Sequence, residues 1–85
     1  MKSFNFVIRD EIGIHARPAG QLAKEAKKYE SKITIACNGK SAVATKLMAI
    51  MGMGVKKDME VTVSAEGPDE ETAIADMLKF FEENL

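Results

Sequence analysis

The amino-acid sequence predicts an α+β protein of the open-faced β-sandwich type, with its elements in the order βαββαβα. Three segments alternate apolar and polar side chains with the two-residue period of a half-buried strand, and a turn signal pairs one of them with a fourth strand. Two other segments place apolar residues at the spacing of an amphipathic helix, and a third, short segment is too apolar for a loop. Because each strand offers one apolar face, we expect one four-stranded sheet with the three helices on one face of it.

The first strand and the first helix are predicted on the two sides of a short loop. The strand has its inward-facing apolar residues at every second position: Phe4, Phe6 and Ile8. Gly13 allows the loop a positive φ where the chain must turn and approach the following residues closely. Pro18 suits the first turn of a helix, because its missing N–H group is not needed there. The helix therefore begins near Ala16 or Arg17 and runs to about Tyr29.

The second and third strands are predicted to form an antiparallel hairpin. The second strand carries its apolar residues in alternation: Ile33, Ile35 and Cys37. Asn38 and Gly39 follow directly, and this dipeptide is the strongest short signal for a two-residue type I′ turn. The third strand, residues 40–44, has few apolar residues, so we expect it at an edge of the sheet.

A short second helix is predicted within residues 45–54, which are too apolar for a loop and end in glycines. A short helix buries only one side, and we expect that side to hold Ile50, Leu47 and part of Met51. Met48 should then remain exposed. Methionine suits surfaces that must adapt to several partners, although packing of all these side chains in the core is the alternative.

The last strand and the last helix complete the predicted order. The strand alternates its apolar residues: Met59, Val61, Val63 and Ala65. Asp69, Glu70 and Glu71 place negative charge where the helix dipole favours it, at the start of a helix. That helix continues to the last residue with apolar side chains at helical spacing: Ile74, Met77, Leu78, Phe81 and Leu85.

Composition indicates one domain over residues 1–85 and excludes several classes of protein. The single cysteine, Cys37, allows neither an intrachain disulfide nor a cysteine metal cluster, and we expect it in the core. A net charge of −1 gives no reason to expect nucleic-acid binding. No signal peptide and no membrane-spanning apolar run is found, so we expect a cytoplasmic protein that does not insert into membranes.

The chemistry is predicted at His15, the only histidine, directly before the first helix. The first residues of a helix have unpaired N–H groups and a partial positive charge, which together favour an anion such as phosphate. Ala16, Arg17 and Pro18 would form this phosphate-binding start, and the guanidinium of Arg17 offers paired donors to phosphoryl oxygens. The helix end and Arg17 favour the neutral, nucleophilic imidazole. We interpret His15 and Arg17 as the catalytic residues of a phosphohistidine site, although a lone histidine is often only a cap or a surface residue.

The sequence GIHARPA at residues 13–19 resembles the active-site signature of the HPr family, the histidine-containing phosphocarriers of the bacterial phosphoenolpyruvate-dependent sugar phosphotransferase system. The acidic start of the last helix and several residues between also fall at HPr-like spacing: Asn38, Gly39, Lys40, Leu47, Met48, Met51 and Gly54. The resemblance implies a four-stranded antiparallel sheet, whose strand order periodicity leaves open. It also implies phosphorylation of Nδ1 of the histidine by phosphorylated enzyme I and transfer to enzyme IIA domains.

The resemblance also implies a docking surface beside the histidine, formed by Lys46, Leu47, Met48 and Met51. Many HPr proteins of Gram-positive type carry a regulatory serine where this chain has Lys46. Serine phosphorylation at that position is therefore impossible here, although Thr45 or Ser41 could in principle be modified. We expect Lys46 to provide a permanent positive charge that steers an acidic partner.

The predicted function is that of a phosphoryl-group carrier, not of an enzyme, acting without a cofactor and as a monomer. The alternative is a regulatory adaptor that binds partners without relaying phosphate; the presence of His15 argues against it. A metal site is not predicted, since one histidine near Asp10 and Glu11 lacks a recognisable ligand spacing. No glycine-rich nucleotide loop is found, and the sugars served do not follow from the sequence.

Overall fold

A computed structural model describes residues 1–11, 13–14 and 16–85. The elements confirm the predicted order βαββαβα: β1 (Lys2–Val7), α1 (Ala16–Ala26), β2 (Lys32–Cys37), β3 (Lys40–Val43), α2 (Leu47–Gly52), β4 (Glu60–Glu66) and α3 (Glu70–Asn84). Among the described residues, no helix is both long and apolar enough to cross a membrane.

The four strands form one antiparallel sheet in the order β1-β4-β2-β3. The last strand along the chain therefore lies in the interior of the sheet, between β1 and β2. Val63 of β4 is paired with Phe4 on one side and with Ile35 on the other, which brings three apolar side chains to one face. β3 lies at an edge, as its sparse apolar pattern predicts.

The turn between β2 and β3 confirms the predicted type I′ hairpin. Asn38 has a φ of 51° and Gly39 a φ of 78°, so both central residues are left-handed. Cys37 and Lys40 face each other across the turn as the last pair of the ladder.

The helices cover one face of the sheet and enclose the core. Within it, α3 packs on β1 through aromatic side chains. Phe81 is fully buried, and its ring meets those of Phe4 and Phe6 edge-on at centroid distances of 5.8 and 5.5 Å. On α3 the fully buried positions are Ala73, Met77 and Phe81, while Ile74 and Leu78 are only half-buried. Cys37 is a buried core residue, as expected.

The end of α1 differs in detail from the prediction, whereas α3 starts where its acidic residues indicated. α1 ends at Ala26 rather than near Tyr29, because the N–H groups of Lys28 and Tyr29 donate to carbonyls three residues back, which tightens the chain. At the start of α3, the carboxylate of Asp69 accepts hydrogen bonds from the N–H groups of Glu30 and Ser31 at 3.0 and 2.9 Å, and from the Ser31 hydroxyl. Asp69 thus joins α3 to the turn before β2 instead of capping its own helix.

Candidate functional site

His15, on which the predicted site depends, lies outside the described residues, but the chain on both sides of it is described. Gly13 and Ile14 precede it and are buried, and Ala16 follows it as the first residue of α1. The described part of the site consists of the loop that precedes the histidine in sequence, the helix α1 that follows it and α2, which contacts α1.

Gly13 lies against the main chain that follows α2. Its φ is +81°, and a Cβ atom built on it would be 2.4 Å from the carbonyl oxygen of Val55 and 2.6 Å from Cα of Lys56. The N–H group of Ile14 donates to the same Val55 oxygen at 3.0 Å. The prediction that Gly13 provides both a positive φ and a close approach is therefore confirmed.

The same loop is held from its other end by Asp10 and Leu85. The Gly13 N–H group donates to the main-chain oxygen of Asp10 at 3.1 Å and to its carboxylate at 3.2 Å. The N–H groups of Arg9 and Asp10 both donate to the main-chain oxygen of Leu85, at 2.5 and 2.8 Å. Leu85 is itself buried, so the end of α3 fixes the chain that leads to the site.

The structure places the start of α1 at Ala16, within the predicted range. Pro18 and Ala19 are buried, whereas Ala16 and Arg17 are exposed, so the first two residues of the helix are accessible from outside. Among the described residues, Arg17 forms neither an ion pair nor a hydrogen bond with another side chain. This arrangement leaves its donors available to an external anion.

α2 carries an exposed apolar surface. Within the described residues, the exposed large apolar side chains are Met1, Val7, Leu47, Met48 and Met51. Three of these five belong to α2, and Met48 is 76% exposed, as predicted. Lys46 is the N-cap residue of the helix, and its exposed side chain makes no capping hydrogen bond. We call Lys46, Leu47, Met48 and Met51 the α2 surface.

The inward side of α2 corrects one prediction. Ile50 is fully buried and Met51 is 37% exposed, as expected, but Leu47 is 39% exposed instead of facing the core. The buried line continues from Ile50 to Met53, which is buried just after the helix. Since α2 has only six residues, Leu47 stands at its outer end, where the core no longer reaches it.

Three groups that hold the loop were not predicted as site residues: Asp10, Val55 and the main-chain oxygen of Leu85. Gly13 was the only signal in the sequence for their arrangement, because it marks a close approach without identifying the partner. No group of three His, Cys, Asp or Glu side chains among the described residues is arranged to hold a metal ion.

The fold and the sequence at the start of α1 together define a histidine phosphocarrier class of protein. The family model of the PTS HPr component phosphorylation site matches residues 2–83. The phosphocarrier protein HPr of Mycoplasma capricolum is 45% identical over 74 residues, which cover 87% of this chain and 83% of that protein. The chain therefore belongs to the HPr family of phosphocarriers.

Solved structures agree with this assignment. The histidine-containing phosphocarrier protein of Mycoplasma superposes with a TM-score of 0.94 at 39% identity, over 96% of this chain and 93% of that one. An HPr dimer from Thermoanaerobacter tengcongensis has a TM-score of 0.77 at 37% identity, over 98% and 95% of the two chains. Nothing in these comparisons favours the adaptor alternative.

Proposed function

We propose that His15 accepts a phosphoryl group from phosphorylated enzyme I and passes it to enzyme IIA domains of a sugar phosphotransferase system. The observation that carries this proposal is the start of α1 at Ala16, directly after the histidine in sequence, with Arg17 exposed in its first turn. The family assignment supplies the identities of donor and acceptor.

The transfer requires a neutral imidazole. In the first step an imidazole nitrogen, Nδ1 by family resemblance, attacks phosphorus, and the bond between phosphorus and the donor breaks as the new N–P bond forms. The partial positive charge at the start of an 11-residue helix and the charge of Arg17 both disfavour a protonated His15. The imidazole therefore enters the reaction as a nucleophile.

The phosphoryl group is received by the start of α1. The N–H groups of Ala16 and Arg17 have no acceptor within the helix, and the guanidinium adds paired donors. Pro18 is buried and fixes the first turn. Interaction with a helix end contributes roughly 0.3–2 kcal/mol, which is small enough for the acceptor to remove the group again.

The α2 surface is proposed as the docking site for both donor and acceptor. Met48 and Met51 expose flexible apolar side chains that can adapt to two different partners. Leu47 extends the same apolar area, and its unexpected exposure enlarges the surface available for contact. The buried Ile50 anchors the helix beneath it.

Lys46 is proposed to steer an acidic partner toward this surface. Its charge lies on the exposed N-cap of α2, and it forms no ion pair with another described residue. The variant Lys46→Glu should slow transfer from the donor, and the effect should be largest at low salt because surface charges are screened as salt rises. Equal rates for the two proteins at low ionic strength would exclude steering.

The protein is proposed to act as a carrier without enzymatic turnover of its own, as one unit over residues 1–85, without a cofactor and in the cytoplasm. The expected monomeric state also stays a prediction, and an HPr from Thermoanaerobacter tengcongensis forms a dimer. Sedimentation of the purified chain would decide between the two states.

The test is phosphorylation by enzyme I and phosphoenolpyruvate. The chain should acquire one phosphate that is labile in acid and stable in alkali, as expected for a phosphohistidine, and His15→Ala should acquire none. His15 is the only histidine, so the variant removes this chemistry from the whole sequence. Equal labelling of the variant would refute the proposed site.

A further inference from the structure

We propose that Met48, assisted by Met51, is a site of reversible oxidation that controls docking on the α2 surface. The modification is methionine sulfoxide formation by a peroxide. This inference rests on the proposed docking function of the same surface and adds its regulation.

The six methionines differ widely in solvent exposure. Met48 is 76% exposed and Met51 37%, whereas Met53 is 7% exposed and Met77 fully buried. Met59 is half-buried, and its sulfur accepts a hydrogen bond from the N–H group of Lys56 at 3.1 Å. A peroxide in solution therefore reaches the sulfur of Met48 far more readily than those of the core.

Met1 provides an internal control for exposure. It is 74% exposed, nearly the same as Met48, so the two should react with peroxide at similar rates. The amino group of Met1 is paired with Glu70 at the start of α3, and Met1 precedes β1. The loop leading to His15 follows the opposite end of that strand, so Met1 is separated from the site by the length of β1.

The oxidation is a two-electron step with hydrogen peroxide as the oxidant. The thioether sulfur attacks one peroxide oxygen, the O–O bond breaks, and an S–O bond forms. The second oxygen leaves as water after proton transfer, so the methionine is oxidised and the peroxide is reduced. Methionine sulfoxide reductases reverse the change by using two thiols, which become a disulfide as water is released.

Sulfoxide formation should weaken partner docking on the α2 surface. A thioether buried in an interface contributes apolar contact, whereas a sulfoxide brings a strong hydrogen-bond acceptor that must lose its water. α2 is short and its outward side consists mainly of apolar side chains, so little on the helix itself can satisfy the added oxygen. Oxidation should therefore weaken docking while the core, anchored through Ile50, stays intact.

The experiment treats the chain with hydrogen peroxide and maps sulfoxides by peptide mass spectrometry. Partner binding and transfer from phosphorylated enzyme I are then measured before oxidation, after it, and after treatment with the reductases. The double variant Met48→Leu with Met51→Leu is treated in parallel, and each protein is compared with its own unoxidised sample. This variant retains Met1 and Cys37, so it controls for oxidation elsewhere.

We expect early oxidation at Met48 and Met1, slower oxidation at Met51 and little at Met77. The parent's Kd for enzyme I should rise about fivefold or more, return after reductase treatment, and stay unchanged in the oxidised double variant. Unchanged binding of a fully Met48-oxidised parent, or equal loss in the double variant, would overturn the inference. Failure of the unoxidised parent to accept phosphate would instead refute the proposed function, whereas intact acceptance with unaltered docking refutes only the oxidation control.

Discussion

Gly13 shows how a single residue without a side chain can fix the loop that precedes the proposed site in sequence. Its positive φ and the adjacent Val55 oxygen leave no space for a Cβ atom. The Ile14 N–H group then bonds the same oxygen, so the two residues before His15 are fixed to the chain that follows α2. The loop is thus joined to the chain just after α2 by this hydrogen bond.

We predict that Gly13→Ala lowers the free energy of unfolding by roughly 2 kcal/mol or more and slows phosphoryl acceptance. The new methyl group meets main-chain atoms, which cannot move aside as a flexible side chain could, and the φ adds strain. Denaturant unfolding and labelling by enzyme I measure the two effects. The control is Gly39→Ala, which has a φ of +78° but an open surrounding, and should cost only about 1 kcal/mol without slowing acceptance. Equal losses in the two variants would show that the contact with Val55 is unimportant.

Arg17 is the second residue whose chemistry can be isolated. We predict that Arg17→Lys slows phosphoryl transfer about tenfold while changing partner affinity little, because the charge is kept and one of the paired hydrogen bonds is lost. Single-turnover transfer and a binding titration separate these two quantities. A change in affinity alone would assign Arg17 to docking instead of to the phosphoryl group.

At the level of elements, an exposed methionine of α2 and a fully buried methionine of α3 have different roles, which truncation of each side chain can separate. We predict that Met48→Ala weakens partner binding about fivefold or more but changes the free energy of unfolding by only about 0.5 kcal/mol or less. Met77→Ala, in the fully buried part of α3, should instead cost about 2–5 kcal/mol. Binding titration and denaturant unfolding of both variants provide the measurement. A large loss of stability in Met48→Ala without a docking defect would place that side chain in the core.

The hydrogen bonds at the start of α3 make the free energy of unfolding depend on pH. The Ser31 hydroxyl and the N–H groups of Glu30 and Ser31 hold the pKa of Asp69 below its ordinary value of 3.8. This stabilisation is present above that value and is lost as the pH falls through the lower pKa of the folded state. The amino group of Met1 and the Gly67 N–H group also lower the pKa of Glu70, so that residue contributes an acid dependence of the same sign.

We therefore predict that Asp69→Asn is less stable than the parent at neutral pH and loses less stability on acidification below about pH 5. Unfolding by denaturant at several pH values measures the slope. Glu83→Gln removes one exposed carboxylate from the same helix and serves as the control for net charge. A parent and an Asp69→Asn variant with parallel pH profiles would contradict the assigned role of the carboxylate.

For the whole molecule, local signals in the sequence were sufficient to predict every element and its order: alternation, helical spacing, apolar content and turn residues. The scarcity of apolar residues in β3 predicted its edge position, and the dipeptide of Asn38 and Gly39 predicted the hairpin, because both depend on local side-chain chemistry. The order of strands did not follow, since alternation determines which face of a strand is buried but not which strand lies beside it. The placement of β4 between β1 and β2 depends on long-range pairing.

Only part of the site could be predicted, because local sequence patterns do not show which main-chain groups meet in the fold. Arg17 and Met48 are exposed where chain position and residue type suggested. Leu47 was assigned to the wrong side because five of the six residues of α2 are apolar and the sixth is glycine, so the pattern does not specify a face. Val55 and Leu85 act through main-chain oxygens, which every residue has, and their roles cannot be read from residue type.

The central claim is that this chain relays phosphate through His15, and a complete relay tests it most directly. Labelled phosphoenolpyruvate, enzyme I and an enzyme IIA acceptor are combined with the chain, with His15→Ala, or with neither. We predict that label reaches the acceptor only with the parent chain, and that labelled parent forms before labelled acceptor. Label reaching the acceptor equally with His15→Ala, or binding of both partners without any transfer, would contradict the account.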